Sequence, residues 1–455
     1  MDNKISRRRF MGTTLIGATS VVGVTSFPAL GFYTPQSDKL AILGGQPVRT
    51  KPFHAWPIWD KADEDAILPV LRSGIWSRKD VVKEAEEKFA KLMGAKHCLL
   101  TTNGTNALTT ALYAIGVGGG DEVITSPFTF VATIDAILLN NALPVFVDVD
   151  PRTWKIDPDK IEERITENTI AILPVHITSG ISNMDKINAI AKKHKLKVVE
   201  DACQAHLSEW KHKKAGTLGD LGCLSLQNGK NITCGEGGAI LGDDERLMDL
   251  CYSYHNFGRP KGKYMSRDRG GHPILGTKCR MAEYQASILI TQMDSVEEET
   301  KIRSRNAAYL SEKMKEIPGV VPIKQYDEMT WTTFYYYGFR YKKEHYNDCP
   351  RERFVKTLRA EGIPVSTGLG VIEGEAQHRE GLIAETMNSK TFQKIYSKER
   401  LDSYRKQLDC PEAEQLVEET IGFHSPVLLG SRQDMDDIYN AFMKIYENRD
   451  LLIKQ

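Results

Sequence analysis

A lysine and a carboxylate that can act together in one site lie at the ends of two predicted strands. The stretch Gly222–Gly238 (GCLSLQNGKNITCGEGG) predicts a short apolar strand, a turn, then Lys230 and a Gly-rich reversal. Upstream, Leu196–Ala202 (LKVVEDA) predicts a buried strand whose apolar run ends in Glu200 and Asp201. Because ligands of open α/β sheets bind at the carboxyl ends of strands, Asp201 and Lys230 are expected to share one crevice. A lone lysine at a sheet edge is more often simply solvated, so the prediction of a functional site depends on the pairing of Lys230 with Asp201.

This pair supplies the two groups that a pyridoxal phosphate (PLP) site needs. A lysine amine forms a Schiff base with the PLP aldehyde, and a carboxylate keeps the pyridine nitrogen protonated. A third feature fits, because the strand predicted at Lys96–Thr102 leads through Asn103-Gly104-Thr105 into a helix predicted at Asn106–Ile115. The free backbone N–H groups and the dipole of a helix start favour a phosphate. Any strand-to-helix turn can have this pattern, so its position before the lysine and carboxylate segments supports the phosphate prediction.

Three segments resemble the DegT/DnrJ/EryC1/StrS family of PLP-dependent sugar aminotransferases. They are VVEDACQAH (Val198–His206), GDLGCLSLQNGKNITCGEGG (Gly219–Gly238) and CRMAEYQAS (Cys279–Ser287), and the resemblance extends from about Ala41 to the C-terminus. It implies the α/β fold type I of PLP-dependent transferases. It also implies a homodimer with both active sites at the interface, and glutamate or glutamine as the amino donor.

The resemblance assigns roles to particular residues. It makes Lys230 the Schiff-base lysine and the group that moves protons, and Asp201 the partner of the pyridinium nitrogen. The other implied cofactor-binding residues are Phe130 (stacked on the ring), Gln204 (near the ring hydroxyl), Ser225 with the backbone of Gly104 and Thr105 (at the phosphate), and Lys278. For Phe130 the alternative is a core phenylalanine in a strand-to-helix turn.

The chain departs from the family pattern at three positions. Thr178 and Ser179 stand where the family commonly has an aromatic residue and a glycine, which is expected to change the floor of the substrate site. Lys278 stands where the neighbouring subunit usually supplies an asparagine to the PLP phosphate. A lysine can still reach a phosphate as a point charge. His176, which ends its strand just before these changes, is assigned no catalytic role.

Strands alternate with helices along the first two thirds of the chain, which predicts a mainly parallel sheet with helices on both faces. We divide the chain into a signal segment (1–34), an N-terminal arm with a large PLP-binding domain (35–301) and a smaller α+β domain (302–455). Two helices are predicted around this last boundary, at Ala282–Ser304 and Ala307–Lys315. The aromatic run Trp331–Tyr341 predicts a strand whose rings are more often core than sugar platform.

Composition excludes some classes of function. The chain has 455 residues with 60 basic and 60 acidic side chains, and it contains no long charged block, so nothing indicates nucleic-acid binding. Eight cysteines would suggest disulfides in a small secreted domain. Here they are dispersed and no pair has metal-ligand spacing, so buried thiols and no metal site are predicted.

The N-terminus predicts export. Ser6-Arg7-Arg8-Arg9-Phe10-Met11 resembles a twin-arginine signal and precedes Gly12–Leu30, a modestly apolar run without acidic residues. The run is too interrupted to predict a membrane span. The resulting expectation is an exported, periplasmic protein that uses the twin-arginine machinery. The alternative is a frayed basic arm.

Two functions remain open at this stage. The first is a PLP-dependent aminotransferase that moves an amino group from glutamate or glutamine to a keto sugar or keto-cyclitol. The stretch LGGQPVR (43–49) is most similar to the family branch that aminates cyclic ketones. The second is an exported PLP- or sugar-binding protein of the same fold that does not transaminate. Sugar dehydratases of this family lack the Schiff-base lysine, so the presence of Lys230 argues against that activity.

Overall fold

The computed structural model describes residues 39–263, 271–368 and 374–453. The predicted signal segment, residues 1–34, lies outside these ranges. No helix within them is both long and apolar enough to cross a membrane.

The strands of the described ranges form three sheets. In chain order they are β1 (His97–Thr101), β2 (Glu122–Thr125), β3 (Leu143–Phe146), β4 (Thr169–Leu173), β5 (Lys197–Asp201), β6 (Glu209–Trp210), β7 (Lys213–Lys214), β8 (Leu221–Ser225), β9 (Gly238–Gly242), β10 (Val320–Pro322), β11 (Met329–Trp331), β12 (Tyr336–Tyr341), β13 (Ser366–Thr367) and β14 (Thr420–His424).

Two α-helices precede β1, and the others connect the strands or follow them. In chain order they are α1 (Lys61–Ser73), α2 (Asp80–Met93), α3 (Gly104–Ala114), α4 (Val131–Leu139), α5 (Met184–His194), α6 (Glu245–His255), α7 (Glu283–Met314), α8 (Arg351–Ala360), α9 (Gly381–Asn388), α10 (Lys390–Ile395), α11 (Lys398–Lys406), α12 (Pro411–Glu419) and α13 (Arg432–Glu447).

The largest sheet has seven strands in the order β1-β9-β8-β5-β4-β2-β3. The pairs from β8 to β3 are parallel, whereas β9 runs antiparallel to both of its neighbours, β1 and β8. All strands of this sheet except β9 therefore point the same way, and their carboxyl ends meet at one edge. The predicted, mainly parallel sheet is confirmed.

Helices cover both faces of this sheet, as the alternating pattern predicts. On one face α2 contributes Val82 and Phe89 to a core that also contains Leu289 of α7. On the other face α3 and α4 contribute Leu112 and Ile137 to a separate core. In α2 the buried residues recur at helical spacing, which gives the helix one apolar side.

A smaller antiparallel sheet of order β10-β12-β14-β13 follows, with its own core against α8 and α13. The two helices predicted around residue 302 are in fact one, α7, which is 32 residues long. The predicted break at Arg305-Asn306 was wrong, because these residues include neither the proline nor the glycine that commonly ends a helix. The proposed domain boundary at 302 thus falls inside α7 and stays a prediction.

Candidate active site

A cavity of about 690 Å³ opens at the edge where the parallel strands end. Its walls come from the segments that follow β1, β2, β4, β5 and β8, and from β12 and β14 of the smaller sheet. The lining residues are Asn103, Gly104, Thr105, Leu108, Thr129, Phe130, Ala132, Thr133, Val175, Asp201, Cys203, Gln204, Ser225, Gln227, Gly229, Lys230, Glu236, Tyr335, Tyr336 and His424. The cavity therefore brings together seven of the eight residues assigned to the site from sequence.

Asp201 is the last residue of β5 and is 5% exposed. Its Oδ2 accepts a hydrogen bond from Thr133 Oγ1 at 2.7 Å, and its Oδ1 accepts one from the Cys203 N–H at 3.2 Å. Thr133 Oγ1 in turn lies 2.7 Å from Thr129 Oγ1. These contacts fix the orientation of the carboxylate at the wall of the cavity.

Lys230 lies in the turn between β8 and β9 and is partly buried. The turn is held at both ends of this residue, because the Lys230 N–H donates to Gln227 O (2.8 Å) and Lys230 O accepts from Trp56 Nε1 (3.1 Å). The amine lies 4.1 Å from the centre of the Tyr335 ring. Burial lowers the pKa of Lys230 below its usual value, although the nearby Cys203 and Asp201 oppose this shift. A larger fraction of the amine is therefore neutral at a given pH than in an exposed lysine.

The N-terminus of α3 forms one end of the cavity. Asn103 caps the helix, since its side chain accepts a hydrogen bond from the Asn106 N–H at 2.8 Å. A Cβ on Gly104 would lie 2.9 Å from Ser225 Cβ and 3.0 Å from Cys203 Sγ. The missing side chain lets the helix start approach Ser225 closely. Backbone N–H groups and a hydroxyl at a helix N-terminus make a site for a phosphate.

Phe130 and Gln204 also face the cavity. Phe130 is 51% exposed, so the alternative of a core phenylalanine is wrong. Gln204 follows β5, and its Oε1 accepts a hydrogen bond from the Thr178 N–H at 2.9 Å. This bond orients the side-chain amide of Gln204.

Lys278, the eighth residue assigned to the site from sequence, does not line the cavity. It is exposed, forms an isolated bridge with Asn256, and is not among the described residues that line the cavity. Within one subunit it therefore cannot be counted as part of the site.

His176 has a structural position. It is fully buried, and its Nε2 donates to Glu200 at 2.8 Å. Glu200 also accepts hydrogen bonds from backbone N–H groups of the segment 216–219. The pair ties the ends of β4 and β5 to the chain entering β8, consistent with the absence of a catalytic assignment.

The aromatic residues that the smaller sheet and its flanking segment contribute to the cavity were not predicted from sequence. Tyr337 and Phe339 are core residues as predicted, but Tyr335 and Tyr336 line the cavity together with His424. The His424 ring lies 5.0 Å from that of Tyr335 and 4.9 Å from that of Tyr336. Burial and the nearby Lys230 charge lower the pKa of His424 to about 4. The imidazole is therefore neutral near pH 7 and offers the cavity a polar but uncharged group.

A larger groove, of about 1050 Å³, is lined by residues that fall between positions 341 and 419 of the sequence. Both arginines of its lining are paired with lining glutamates, Arg351 with Glu352 at 3.1 Å and Arg379 with Glu414 at 2.7 Å. Neither Lys230 nor Asp201 lines it. The groove therefore lacks the paired lysine and carboxylate that mark the sheet-edge cavity.

All eight cysteines are free thiols, six of them buried and two, Cys98 and Cys203, partly exposed. The prediction of buried thiols holds for six of the eight cysteines. In the part of the chain that the structure describes, no group of three histidine, cysteine or acidic side chains is arranged to hold a metal ion.

Comparisons with known proteins agree with this geometry. The model of the DegT/DnrJ/EryC1/StrS aminotransferase family matches residues 57–442. A relative from Streptoalloteichus tenebrarius, named L-glutamine:2-deoxy-scyllo-inosose aminotransferase, is 34% identical over 420 residues, covering 89% of this chain and 97% of the relative. The crystal structure of 3-amino-5-hydroxybenzoic acid synthase has a TM-score of 0.76 and 29% identity, covering 88% of this chain and 100% of that chain. The structure of DesI with its TDP-sugar product has a TM-score of 0.74 and 25% identity, covering 90% of this chain and 97% of DesI.

Proposed function

Since the chain belongs to the DegT/DnrJ/EryC1/StrS aminotransferase family, we propose that it transfers the α-amino group of L-glutamine to the carbonyl of a keto-cyclitol. The family makes it a PLP-dependent transaminase that uses a glutamate- or glutamine-type donor. The choice of glutamine and of a cyclitol is supported by the inosose aminotransferase, which aligns along 89% of the chain.

The charge of the cavity also favours a neutral acceptor. Among the described residues that line it, Lys230 is the single lysine or arginine, and Asp201 and Glu236 are the acids. A nucleotide-linked sugar carries a diphosphate, which proteins usually bind with arginine or lysine. A polyhydroxylated ring needs only hydrogen-bonding partners, which Tyr335, Tyr336 and neutral His424 supply. This lining is the observation that carries the proposal.

The residues present fit PLP. The missing Cβ of Gly104 leaves room for the start of α3 to meet Ser225, which makes a cradle for a phosphate. Asp201 would hold the ring nitrogen, Gln204 the ring hydroxyl, and exposed Phe130 would cover one face of the ring. Lys230 would hold the aldehyde. Bound PLP supplies an electron-accepting ring through which an amine and a carbonyl exchange places.

The protein's own part in the reaction is to move protons and to keep charges in place. The donor loses its Cα–N bond and two electrons, and its α-carbon takes an oxygen from water to become the carbonyl of 2-oxoglutaramate. The acceptor releases its carbonyl oxygen as water, gains a C–N bond and the same two electrons, and becomes an aminocyclitol. Lys230, with its lowered pKa, takes the proton from one carbon and returns it to another. Asp201 stays fixed by Thr133 throughout.

The proposal is tested by following the nitrogen. Purified protein is loaded with PLP and given α-¹⁵N-labelled L-glutamine with 2-deoxy-scyllo-inosose, and the products are analysed by mass spectrometry. We expect a ¹⁵N-labelled aminocyclitol together with 2-oxoglutaramate. Amination of a nucleotide-linked keto sugar but of no cyclitol would reject the proposed acceptor. Nitrogen taken from glutamate alone would reject the proposed donor.

Gly104→Ala is expected to weaken PLP binding. The new Cβ would press on Ser225 and Cys203, and overpacking of about 1–3 kcal/mol corresponds to a roughly 10- to 100-fold rise in Kd. Gly118→Ala is the matched control, because its Cβ would have its nearest neighbour, Asp121 Oδ2, 4.0 Å away. Equilibrium dialysis gives the two Kd values, and thermal unfolding without PLP checks the fold. Equal affinity in both variants would contradict the assignment of this helix start.

We further propose a homodimer in which Lys278 of the partner subunit reaches the PLP phosphate. Two observations support it. Lys278 is exposed and lies away from the cavity of its own subunit. In addition, the large apolar side chains of Trp76 and Leu275 are 54% and 77% exposed. Light scattering is expected to give the mass of a dimer, and a monomer that retains full activity would reject the proposal.

Export through the twin-arginine pathway is also a proposal, supported by Arg7 and Arg8 ahead of the apolar run 12–30. Because the pair is the feature that this pathway reads, replacing both by lysine is expected to retain the precursor in the cytoplasm. Arg9→Lys is the control and is expected to be exported. Cell fractionation with immunoblotting measures both. Normal export of the double variant would refute the proposal.

A further inference from the structure

Two consecutive residues beneath the cavity adopt a left-handed backbone. Thr178 has φ of 56° and Ser179 has φ of 70°, and both are fully buried. Residues with a side chain rarely adopt this conformation, and β-branched threonine least readily. A glycine, which the family commonly has at position 179, would adopt it without strain. The serine therefore retains an unfavourable backbone conformation, and its hydroxyl is the group that can compensate.

The Ser179 hydroxyl joins two segments that lie far apart along the chain. Its Oγ donates to Gln204 O at 2.7 Å and accepts from the Tyr335 N–H at 2.6 Å. Gln204 follows β5 and lines the cavity, whereas Tyr335 immediately precedes β12 of the smaller sheet. A glycine at this position could make neither bond. The adjacent Thr178 hydroxyl makes only a local bond, to Ile177 O at 2.7 Å.

Tyr335 is the residue whose ring lies under the Lys230 amine, at 4.1 Å. The segment that carries it is held from several loops. Asn231, the neighbour of Lys230, donates to Thr333 O at 3.2 Å, and the hydroxyls of Ser208 and Thr333 lie 3.0 Å apart. Tyr335 itself is held at both backbone groups: its N–H donates to Ser179 Oγ, and its O accepts from the Ser425 N–H at 3.0 Å.

We propose that Ser179 is a positioning residue that holds Tyr335 against the Lys230 amine and keeps water from the space between them. The inference rests on the proposed function to the extent that Lys230 is the reactive amine. It assigns a role to a position where the sequence alone shows only a departure from a common glycine.

The expected consequence is electrostatic. Burial is the main cause that lowers the pKa of Lys230, so admitting water beside the amine is expected to raise that pKa. Several other groups face or act on Lys230 and are left in place: Asp201, Cys203, His206, Glu236, Tyr336 and His424. A change seen on altering Ser179 alone is therefore not due to a lost charge.

The test uses cofactor-free protein and does not depend on catalysis. Trace acetylation with acetic anhydride is run across a pH series, and the peptide that contains Lys230 is quantified by mass spectrometry. Only the neutral amine reacts, so the profile reports the pKa of Lys230. The variants are Ser179→Gly, Ser179→Ala and, as the matched control, Thr178→Gly. Ser179→Ala keeps the backbone strain and Ser179→Gly relieves it, so both lose the hydroxyl but differ in strain.

Both Ser179 variants are expected to shift the Lys230 profile to higher pH, with labelling below the midpoint reduced about threefold or more. Thr178→Gly is expected to follow the original profile, and Ser179→Gly, which relieves the backbone strain, is expected to unfold at a higher temperature than Ser179→Ala. Unchanged labelling in both Ser179 variants would overturn the proposal, as would an equal shift in Thr178→Gly. A failure to form any aminocyclitol would reject the proposed function while leaving this result intact.

Discussion

Lys230→Ala is expected to abolish covalent attachment of PLP and to lower transamination by about 10⁴-fold or more. The reason is that Lys230 is the single lysine with which one subunit lines the cavity within the described ranges. Lys278 of the partner subunit is proposed to reach the phosphate, so it does not replace the Lys230 amine at the aldehyde. The measurement is borohydride reduction of the PLP-loaded protein followed by peptide mass spectrometry. The unaltered protein is expected to carry a pyridoxyl group on Lys230, and the variant none.

Lys230→Arg is the matched control for charge and size. Arginine keeps the positive charge over the Tyr335 ring but cannot form the Schiff base, because its guanidinium stays protonated. It is expected to be as inactive as the alanine variant while folding normally. A pyridoxyl group on a different lysine, or activity retained in either variant, would contradict the assignment of Lys230.

Asp201→Asn is expected to slow transamination by about 10³-fold or more while leaving PLP attached to Lys230. The amide has nearly the same shape as the carboxylate, but it lacks the charge that keeps the ring nitrogen protonated. Borohydride trapping measures the attachment, and formation of 2-oxoglutaramate measures the rate. The trapping measurement therefore distinguishes the roles of the two residues, because PLP attachment is lost in Lys230→Ala and kept in Asp201→Asn.

Thr133→Val provides the control for Asp201. It removes the 2.7 Å hydrogen bond to Oδ2 but keeps the carboxylate charge, so a loss of about 10-fold is expected. A larger loss in Thr133→Val than in Asp201→Asn would show that orientation, and not charge, is the main contribution. Full activity in Asp201→Asn would remove Asp201 from the mechanism.

The central pair could be predicted because its signals are local. Asp201 ends a run of apolar residues, Lys230 follows the next such run, and the rule that strands present ligands at their carboxyl ends places both at one edge. The structure adds that β9 runs antiparallel, so the chain reverses at Lys230 and returns through the sheet. That reversal keeps the lysine at the edge.

The opposite wall of the cavity could not be predicted in this way. Tyr336 and His424 lie in strands of the smaller sheet, and Tyr335 immediately precedes one of them. Whether a ring there faces the core or a cavity depends on how the two sheets meet. Sequence alternation gives the period of a strand but not the face that is buried. The rings of Tyr337 and Phe339 look the same in sequence, yet they lie in the core.

The backbone conformation of residues 178 and 179 could not be predicted from sequence either. The pair Thr178-Ser179 was recognised as a departure from a common pattern, but the left-handed φ values and the bonds of the Ser179 hydroxyl are visible only in three dimensions. The prediction of two helices where the structure has only α7 was an error of a different kind. A polar stretch alone does not end a helix when no glycine, proline or cap is present.

The most direct test of the central claim is the donor half of the reaction in the absence of any acceptor. PLP-loaded protein is mixed with excess L-glutamine, and 2-oxoglutaramate is quantified per PLP site. We predict one equivalent from the unaltered protein and none from Lys230→Ala, which would establish amino transfer at Lys230 without knowledge of the acceptor. Tight PLP binding with no keto acid released from either glutamine or glutamate would contradict the account and favour an exported binding protein of this fold.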